Sequence, residues 1–330
     1  MKLTMTALAA LLCAAPALAQ TNVTVYGIVD AGAVSERGGP EGNVTKISSG
    51  VASGSRLGFR GKEDLGNGMA VVFALENGFQ GDTGALGQGG LLFGRQAMVG
   101  LTSRAGSLTV GRQYTPYYRT LKDVADPFAA VSLAGRSGNI MTLNTRTDNM
   151  VQYGSPTIAG LRAEVAYAVG EVADDSSKNR TMSGSIGYTR AALRVQGAYH
   201  RVDNATGTDA VRNTLLAASY KFKRLTAHLA HARNAGLAGA DSRDTLAGVS
   251  VPVGAHTVML SHIRHEDRSL LDRDARQWGL GYFYSLSKRT DLYAAYAIIS
   301  NENNAGFTVG TATERGTGDR AANLGIRHTF

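Results

Sequence analysis

The end of the chain constrains the fold most strongly. From Ala322 onward the residues alternate in character, and the last residue is Phe330. One face of the predicted strand carries Ala322, Leu324, Ile326, His328 and Phe330, and the other carries Asn323, Gly325, Arg327 and Thr329. A terminal aromatic residue on such a strand is typical of a barrel that faces lipid. A surface strand of a water-soluble protein is the alternative, and the rest of the chain decides against it.

The first nineteen residues have the features of a secretory leader. Lys2 supplies a positive charge, residues 3–15 are apolar, and residues 17–19 read Ala-Leu-Ala, a small-x-small cleavage site. We therefore expect a signal peptide over 1–19 and a mature chain, one domain, over 20–330. The leader is too short for a permanent transmembrane helix.

Composition narrows the class of protein further. The single cysteine, Cys13, lies in the leader, so neither a disulfide nor a cysteine nucleophile is expected in the mature chain. Hydrophobic residues make up 43% of the chain, yet no apolar run is long enough for a membrane helix. The formal charge of +8 is spread over alternate positions rather than clustered. This distribution suits a lumen that attracts anions, or contact with anionic lipopolysaccharide, better than nucleic-acid binding.

Alternation with a period of two is the dominant pattern along the chain. Sixteen segments of about ten residues show it, which is the length of a transmembrane strand. They lie near 23–34, 52–64, 69–79, 91–102, 107–114, 146–156, 161–170, 181–190, 193–202, 212–222, 225–233, 243–253, 256–265, 275–286, 291–300 and 320–330. Tight connections alternate with longer ones such as 35–51, 80–90, 171–180, 203–211 and 301–319. We predict an all-β fold: a sixteen-stranded antiparallel transmembrane β-barrel with both termini on the short-turn side.

One connection, 113–145, is much longer than the others. It contains two prolines and the apolar residues Leu121, Val124, Phe128, Val131 and Leu133. A loop of this length and composition is expected to pack somewhere. Folding into the wide lumen would give the pore a narrow waist, and packing outside on neighbouring loops is the alternative.

Six stretches carry a resemblance to a known family. They are 25–32 (VYGIVDAG), 53–66 (SGSRLGFRGKEDLG), 93–101 (FGRQAMVGL), 111–114 (GRQY), 149–156 (NMVQYGSP) and 325–330 (GIRHTF). The chain resembles the trimeric general-diffusion porins of Gram-negative outer membranes, most closely those of β-proteobacteria. The resemblance implies a homotrimer in the outer membrane without a cofactor, and a third external loop, 113–145, inside the pore. It also implies that Phe330 is the signal read by the barrel-assembly machinery.

The resemblance further implies a basic ladder on the pore wall at Arg56, Arg95 and Arg146. Alternation independently points Arg56 and Arg146 inward, and Arg60 would lengthen the ladder. An inward Arg95 would place Val99 and Leu101 inside the barrel as well. Guanidinium groups stay charged at any working pH, so the field of such a ladder is permanent.

Several other residues are expected at the pore. The acidic candidates on the loop are Asp123 and Asp126, beside Arg119 and Lys122. Alternation places Glu76 and Asp148 in the lumen. These acids are few and locally matched by bases, so we predict a passive channel for small hydrophilic solutes with a mild anion preference. The aromatic cluster of Tyr114, Tyr117 and Tyr118 leaves open a substrate-specific porin for an anionic nutrient.

Arg112 shares the parity of Leu108 and Val110, so it is expected to point outward. The resemblance implies that it receives a neighbouring subunit's second loop, with Asp82 as partner; a position at the lipid headgroups is the alternative. No catalytic constellation is evident, since His262 and His265 would lie on opposite faces of a strand. We expect no enzyme, metal site or nucleic-acid partner, and a barrel enzyme or adhesin is a third reading without a supporting motif.

Overall fold

The computed structural model describes residues 22–40, 42–129 and 134–330, so the expected leader lies outside the described residues. Most of the described chain is β-strand. The long connection contains one short α-helix, α1 (Pro116–Thr120), followed by a π-helical turn (Leu121–Ala125) and a 3₁₀ turn (Ser137–Asn139). The strands are β1 (Asn22–Gly39), β2 (Gly42–Ser49), β3 (Arg56–Gly66), β4 (Met69–Gly78), β5 (Gln96–Ser103), β6 (Gly106–Tyr114), β7 (Arg146–Gly154), β8 (Leu161–Ala168), β9 (Thr181–Arg190), β10 (Leu193–Asp203), β11 (Ala210–Lys221), β12 (Thr226–Ala235), β13 (Asp241–Val253), β14 (His256–Asp267), β15 (Ala275–Ser285), β16 (Thr290–Asn301) and β17 (Arg320–Thr329).

The sheet closes on itself through its first and last strands. β1 pairs antiparallel with β17 from Ile28 opposite Thr329 to Arg37 opposite Arg320. From β3 onward each strand pairs antiparallel with the next along the chain. Closure leaves no free edge, which satisfies the backbone polar groups where lipid offers no hydrogen bonds.

The seventeen described strands fill sixteen positions around the wall. β2 pairs with residues 31–39 of β1, and β3 pairs with residues 22–28 of the same strand. β2 and β3 therefore follow one another along one side of β1, separated by residues 50–55. The predicted sixteen-stranded antiparallel barrel is confirmed.

The prediction of a loop over 35–51 was wrong. β1 continues to Gly39 and β2 covers residues 42–49, so most of this connection is a β-hairpin. Several of its side chains are exposed, which removes the clean apolar face that marks the other strands. Alternating hydrophobicity could not reveal a hairpin whose faces are both largely polar.

Residues 50–55 form a buried ledge between β2 and β3. The carboxylate of Asp30 on β1 accepts hydrogen bonds from the backbone N–H groups of Ala52 at 3.2 Å and Ser53 at 3.0 Å. It also accepts one from the Tyr293 hydroxyl at 2.8 Å. Asp30 thus ties the break in the wall to β16, across the closing strand pair.

The two faces of the wall differ as a lipid-facing barrel requires. On β15, Trp278, Leu280 and Tyr282 are exposed on the outer surface, whereas Gln277, directly before Trp278, is fully buried on the inner side. On β17, Leu324 and Ile326 are exposed and Asn323 is buried. An apolar exterior around a polar interior is the reverse of a water-soluble barrel and is typical of outer-membrane proteins.

The connections alternate in length around the barrel, as predicted. Short turns follow β3, β5, β9 and β13, while β4, β6, β8 and β16 are followed by longer segments. The C-terminal end of the chain lies at the short-turn end, where Phe330 exchanges two backbone hydrogen bonds with Gly27 at 3.1 Å. Among the described residues, no helix has the length and apolar character needed to cross a membrane.

The long connection contacts the inner side of the wall. α1 begins because Thr115 caps it, accepting from the N–H of Tyr118 at 3.0 Å, with Pro116 in its first turn. Its Tyr117 is buried against His200, and the Gly135 carbonyl accepts hydrogen bonds from Ser261 and Gln277, each at 3.1 Å. These wall residues lie on the face opposite the exposed apolar belt, which supports the predicted inward fold. Val131 and Leu133 lie outside the described residues.

We predict that Gly325→Val destabilises the barrel by about 1–3 kcal/mol. A Cβ at Gly325 would lie 2.3 Å from the Tyr293 hydroxyl and 2.6 Å from the Ala31 carbonyl oxygen, and Tyr293 is held by its bond to Asp30. Urea unfolding in detergent measures the loss. Gly197→Val is the matched control, because no heavy atom lies within 4 Å of a Cβ there. Equal midpoints for the two variants would contradict the packing at the closing seam.

Candidate functional site

The basic side chains predicted for the pore wall gather at the starts of three alternate strands, β3, β5 and β7. Arg56 is the first residue of β3, Arg95 directly precedes β5, and Arg146 is the first residue of β7. β3 pairs with β4 so that Gly58 lies opposite Glu76, which brings the Glu76 carboxylate to the same level of the inner wall. The irregular ledge before β3 and the segment before β5 let these side chains converge.

Glu76 joins two of the arginines. One of its carboxylate oxygens accepts from Nε of Arg95 at 2.7 Å and lies 3.9 Å from Arg56 Nη1. The other accepts from the Tyr26 hydroxyl at 3.0 Å. Glu76 is only 3% exposed, so these donors replace water around its charge.

Tyr114 joins the third arginine to the same group. Its hydroxyl accepts from Arg95 Nη2 at 2.9 Å and from Arg146 Nη2 at 2.8 Å. The Arg146 guanidinium also lies 4.5 Å from the centre of the Tyr114 ring, within cation–π range. We call Arg56, Glu76, Arg95, Tyr114 and Arg146 the arginine chain. It contains three guanidinium groups against one carboxylate.

Arg60 lies apart from the arginine chain, four residues after Arg56 on β3 and nearer the short-turn end. Its guanidinium lies 5.1 Å from the centre of the Tyr26 ring. Together with Lys62 and Asp64 it lines a hollow of about 700 Å³ along the inner wall. Arg60 thus extends the basic wall, but its contacts are not with Glu76 or Tyr114.

The expectation that an inward Arg95 would bring Val99 and Leu101 inside was wrong. Both are more than half exposed on the outer surface. Arg95 lies in the irregular segment before β5, so the alternation of the strand does not set its direction.

The prediction that Asp148 faces the lumen is also corrected. Its carboxylate pairs with Arg112 Nη1 at 2.5 Å, and Arg112 Nε donates to the Gly94 carbonyl at 2.7 Å. The pairing of β6 with β7 shifts register between Gly111 and Gln113, so alternation counted along β7 fails at Asp148. Arg112 is therefore paired within its own chain. Asp82 is exposed in the segment after β4, and its partnership with Arg112 of another subunit stays a prediction.

The predicted loop residues have varied environments. Asp123 is exposed and pairs with Lys122 at 3.0 Å. Asp126 is buried and accepts from the backbone N–H groups of Phe128 at 2.9 Å and Ser137 at 2.8 Å, which supports the fold of the loop itself. Tyr117 and Tyr118 are 0% and 3% exposed, so neither offers a surface to a passing solute. This burial disfavours the aromatic site considered for a substrate-specific channel.

Some charged lumen residues were not singled out from the sequence. Glu164 on β8 pairs with Arg162 and with Arg119 of the loop, each at 3.1 Å. Arg136 of the loop donates to Asn139 at 3.2 Å and to the Thr311 carbonyl, and burial lowers its pKa to about 10. Alternation along β8 is the signal that finds Glu164, because it shares a face with the buried Ala166 and Ala168. The contacts of Arg136 join two distant connections and leave no local signal.

Metal binding finds no support in the described part of the chain. No group of three or more metal-ligating side chains occurs there. His265 instead pairs with Asp244 at 2.6 Å, and His262 packs against Trp278 with ring centres 4.5 Å apart.

Comparison with known proteins decides the family. A family model described as Gram-negative porin matches residues 4–304. The chain belongs to the Gram-negative porin family. An outer membrane porin protein of Bordetella pertussis is 31% identical, with 96% of each chain covered. An anion-selective porin from Comamonas acidovorans has a solved structure that is 28% identical, with a TM-score of 0.81 and coverage of 94% of this chain and 100% of that one.

A more distant porin shares the fold alone. The trimer form of OmpT of Vibrio cholerae is 16% identical, with a TM-score of 0.70 over 94% of this chain and 99% of that one. The barrel and its family identify the chain as a passive channel of the outer membrane. Its relatives are channels rather than enzymes.

We predict that Gln277→Leu loosens the long connection at residues 134–139. The Gln277 side chain donates to the carbonyls of Gly135 and Arg136 and accepts from Asn139, so its loss leaves two buried carbonyls without this donor. Hydrogen exchange of amides 134–139 should speed by roughly tenfold, the effect of about 1.5 kcal/mol. Gln196→Leu, another lumen-facing glutamine, is the control. Unchanged exchange in Gln277→Leu would refute this anchor.

Proposed function

We propose that this porin conducts small hydrophilic solutes and ions passively, with a mild preference for anions set by the arginine chain. The observation that carries the proposal is the grouping of three guanidinium groups with one carboxylate on one side of the lumen. The described parts of the long connection, residues 113–129 and 134–145, supply the opposite side and set the size limit. Of the relatives, the Comamonas porin, titled anion-selective, agrees with this preference.

The preference follows from the balance of charge at the waist. Arginine stays protonated at every working pH, and Glu76 offsets only part of the positive field. On the facing loop, Asp123 is matched by Lys122 and Asp126 is bonded to backbone, so the loop adds little negative field toward the pore. Anions are therefore concentrated at the waist and cations are partly repelled.

We also propose a homotrimer in which Asp82 of one subunit contacts Arg112 of the next. Arg112 is on the outer side of β6, already beside Asp148, and its remaining N–H groups are able to donate to a second carboxylate. The solved trimer form of the Vibrio porin, which has the same fold, supports this proposal.

The remaining parts of the proposal concern export and assembly. Residues 1–19 direct secretion and are removed, leaving 20–330 as a single barrel domain. Phe330, 45% exposed on the outer surface beside the closing seam, is the residue that the barrel-assembly machinery reads. Outer-membrane lipid, including lipopolysaccharide, surrounds the exposed apolar belt.

Glu76→Gln should increase anion preference, because the carboxylate between Arg56 and Arg95 loses its charge. Removing one charge a few ångströms from a permeating ion changes the electrostatic energy of that ion by up to about 1 kcal/mol. This corresponds to a roughly two- to fivefold change in the anion-to-cation permeability ratio. Reversal potentials in a salt gradient across a planar bilayer measure the ratio. Glu171→Gln, in the exposed connection after β8, should leave it unchanged. A cation-preferring wild type, or no change in Glu76→Gln, would contradict the role of the arginine chain.

Asp82→Asn should lower the temperature at which trimers dissociate in semi-native gels. Each intersubunit pair is worth roughly 0.2–1 kcal/mol, and a closed trimer contains three. The control is Asp174→Asn, which removes an exposed acid from another long connection. If the two variants dissociate at the same temperature as the wild type, Asp82 does not latch the subunits.

A further inference from the structure

Arginines stand directly opposite one another on the outer face of the barrel, at the end that carries the long connections. The register pairs Arg201 with Arg212, Arg233 with Arg243, Arg264 with Arg276, and Arg37 with Arg320. Like charges at directly opposed positions are only about 5 Å apart at their Cα atoms and destabilise a sheet. Four such pairs on one surface indicate a bound anionic partner, because such a partner offsets the repulsion between the paired guanidinium groups.

These four pairs form one continuous row. Arg233 lies opposite Thr214, two residues beyond Arg212, and Arg264 lies opposite Thr245, two residues beyond Arg243. The same two-residue step occurs on β16, where Ser300 lies opposite Arg276 and Ile298 lies opposite Arg320. A constant step is the stagger expected of tilted barrel strands, so the row follows one level of the membrane from β10 round to β1.

The side chains below the row change in the order of a membrane interface. On β10, β12, β14 and β15, the residues two positions nearer the middle of the strand are the ring-bearing side chains Tyr199, His231, His262 and Trp278. On the other four strands of the row this position carries a small side chain, Ser35, Thr214, Thr245 or Ala322. Two further residues along lie Leu216, Leu229, Leu260, Leu280 and Leu324, all exposed. Each step of two residues is about 7 Å along the strand, so the guanidinium groups lie beyond an aromatic layer that itself borders the apolar belt. This is the depth of lipid phosphates.

Acids offset the row only in part. Asp203, Asp241, Glu266, Glu302 and Asp319 each pair with one of its arginines. In the described ranges of the chain, no carboxylate forms an ion pair with Arg37, Arg212 or Arg243. Eight arginines against five acids leave the row positive, with the guanidinium groups of Arg37, Arg212 and Arg243 available for an external anion.

The row is absent from the other arc of the barrel. On β3 to β8, Arg112 is the outward arginine at this level within the described residues, and it is paired with Asp148. This is the arc proposed above for subunit contact, where protein rather than lipid would cover the wall.

We propose that the arginine row, centred on Arg212 and Arg243, binds the phosphate groups of phosphorylated glycolipids in the outer leaflet. Each phosphate accepts charge-assisted hydrogen bonds from two opposed guanidinium groups, which removes their mutual repulsion. A long row at constant depth fits an array of lipid headgroups. A free phosphate ion would need a concave site, which this convex surface does not have.

The test titrates purified, refolded protein in detergent with bisphosphorylated lipid A and detects bound lipid by native mass spectrometry. Arg212→Gln with Arg243→Gln should weaken binding at least tenfold. Arg224→Gln with Arg289→Gln, which removes two exposed arginines from short turns of the same arc, should not. Dephosphorylated lipid A should bind weakly to every form, and inorganic phosphate at equal concentration should not displace lipid A.

Equal affinity in the row variant and the wild type, or equal binding of the dephosphorylated lipid, would overturn the proposal. So would displacement by inorganic phosphate, or a changed oligomeric state of the row variant with unchanged lipid affinity, which would make the row a protein contact. The row variant should form channels of wild-type conductance, because its arginines face away from the lumen. A failure of conductance in the wild type would instead refute the proposed function and leave the lipid result standing.

Discussion

The pairing of β1 with β17 is the constraint on which the rest of the structure depends. Without it both strands would present unpaired backbone groups to lipid, which no side chain could satisfy. The seam is reinforced where Tyr293 of β16 reaches across to Asp30 of β1, which also holds the ledge at residues 50–55. Closure, the ledge and the position of Arg56 beside it are therefore one connected arrangement.

Function arises where the regular wall is interrupted. Arg56 follows the ledge, Arg95 precedes β5, and Tyr114 lies where β6 passes into the long connection. Regular strands send alternate side chains along parallel directions, whereas these interruptions let three guanidinium groups meet around Glu76 and Tyr114. On the outer surface, by contrast, the regular register of paired strands places arginines directly opposite one another. The same residue type thus serves the lumen through irregularity and the lipid surface through regularity.

The sequence predicts those features that depend on local alternation. The closed barrel, the alternating lengths of its connections and the inward direction of Arg56 and Glu76 all follow from a period of two. The prediction fails where strand pairing, rather than alternation along the sequence, determines whether a side chain points inward or outward. The register shift near Gly111 directs the Asp148 side chain toward Arg112 instead of the lumen. Because Arg95 lies before β5, its direction does not follow the alternation that places Val99 outside. The hairpin over 35–51 is polar on both faces and therefore has no apolar face to predict it. The row of paired arginines was invisible for the same reason, since its members are distant in sequence.

The central claim is that a water-filled lumen crosses this barrel past the arginine chain. Single-channel recording of the purified protein in planar bilayers tests it most directly. The account predicts discrete conductance steps that grow in proportion to salt concentration without saturation, since ions diffuse through water rather than bind in turn. Bilayers that show no steps, or a conductance that saturates at low salt, would contradict it.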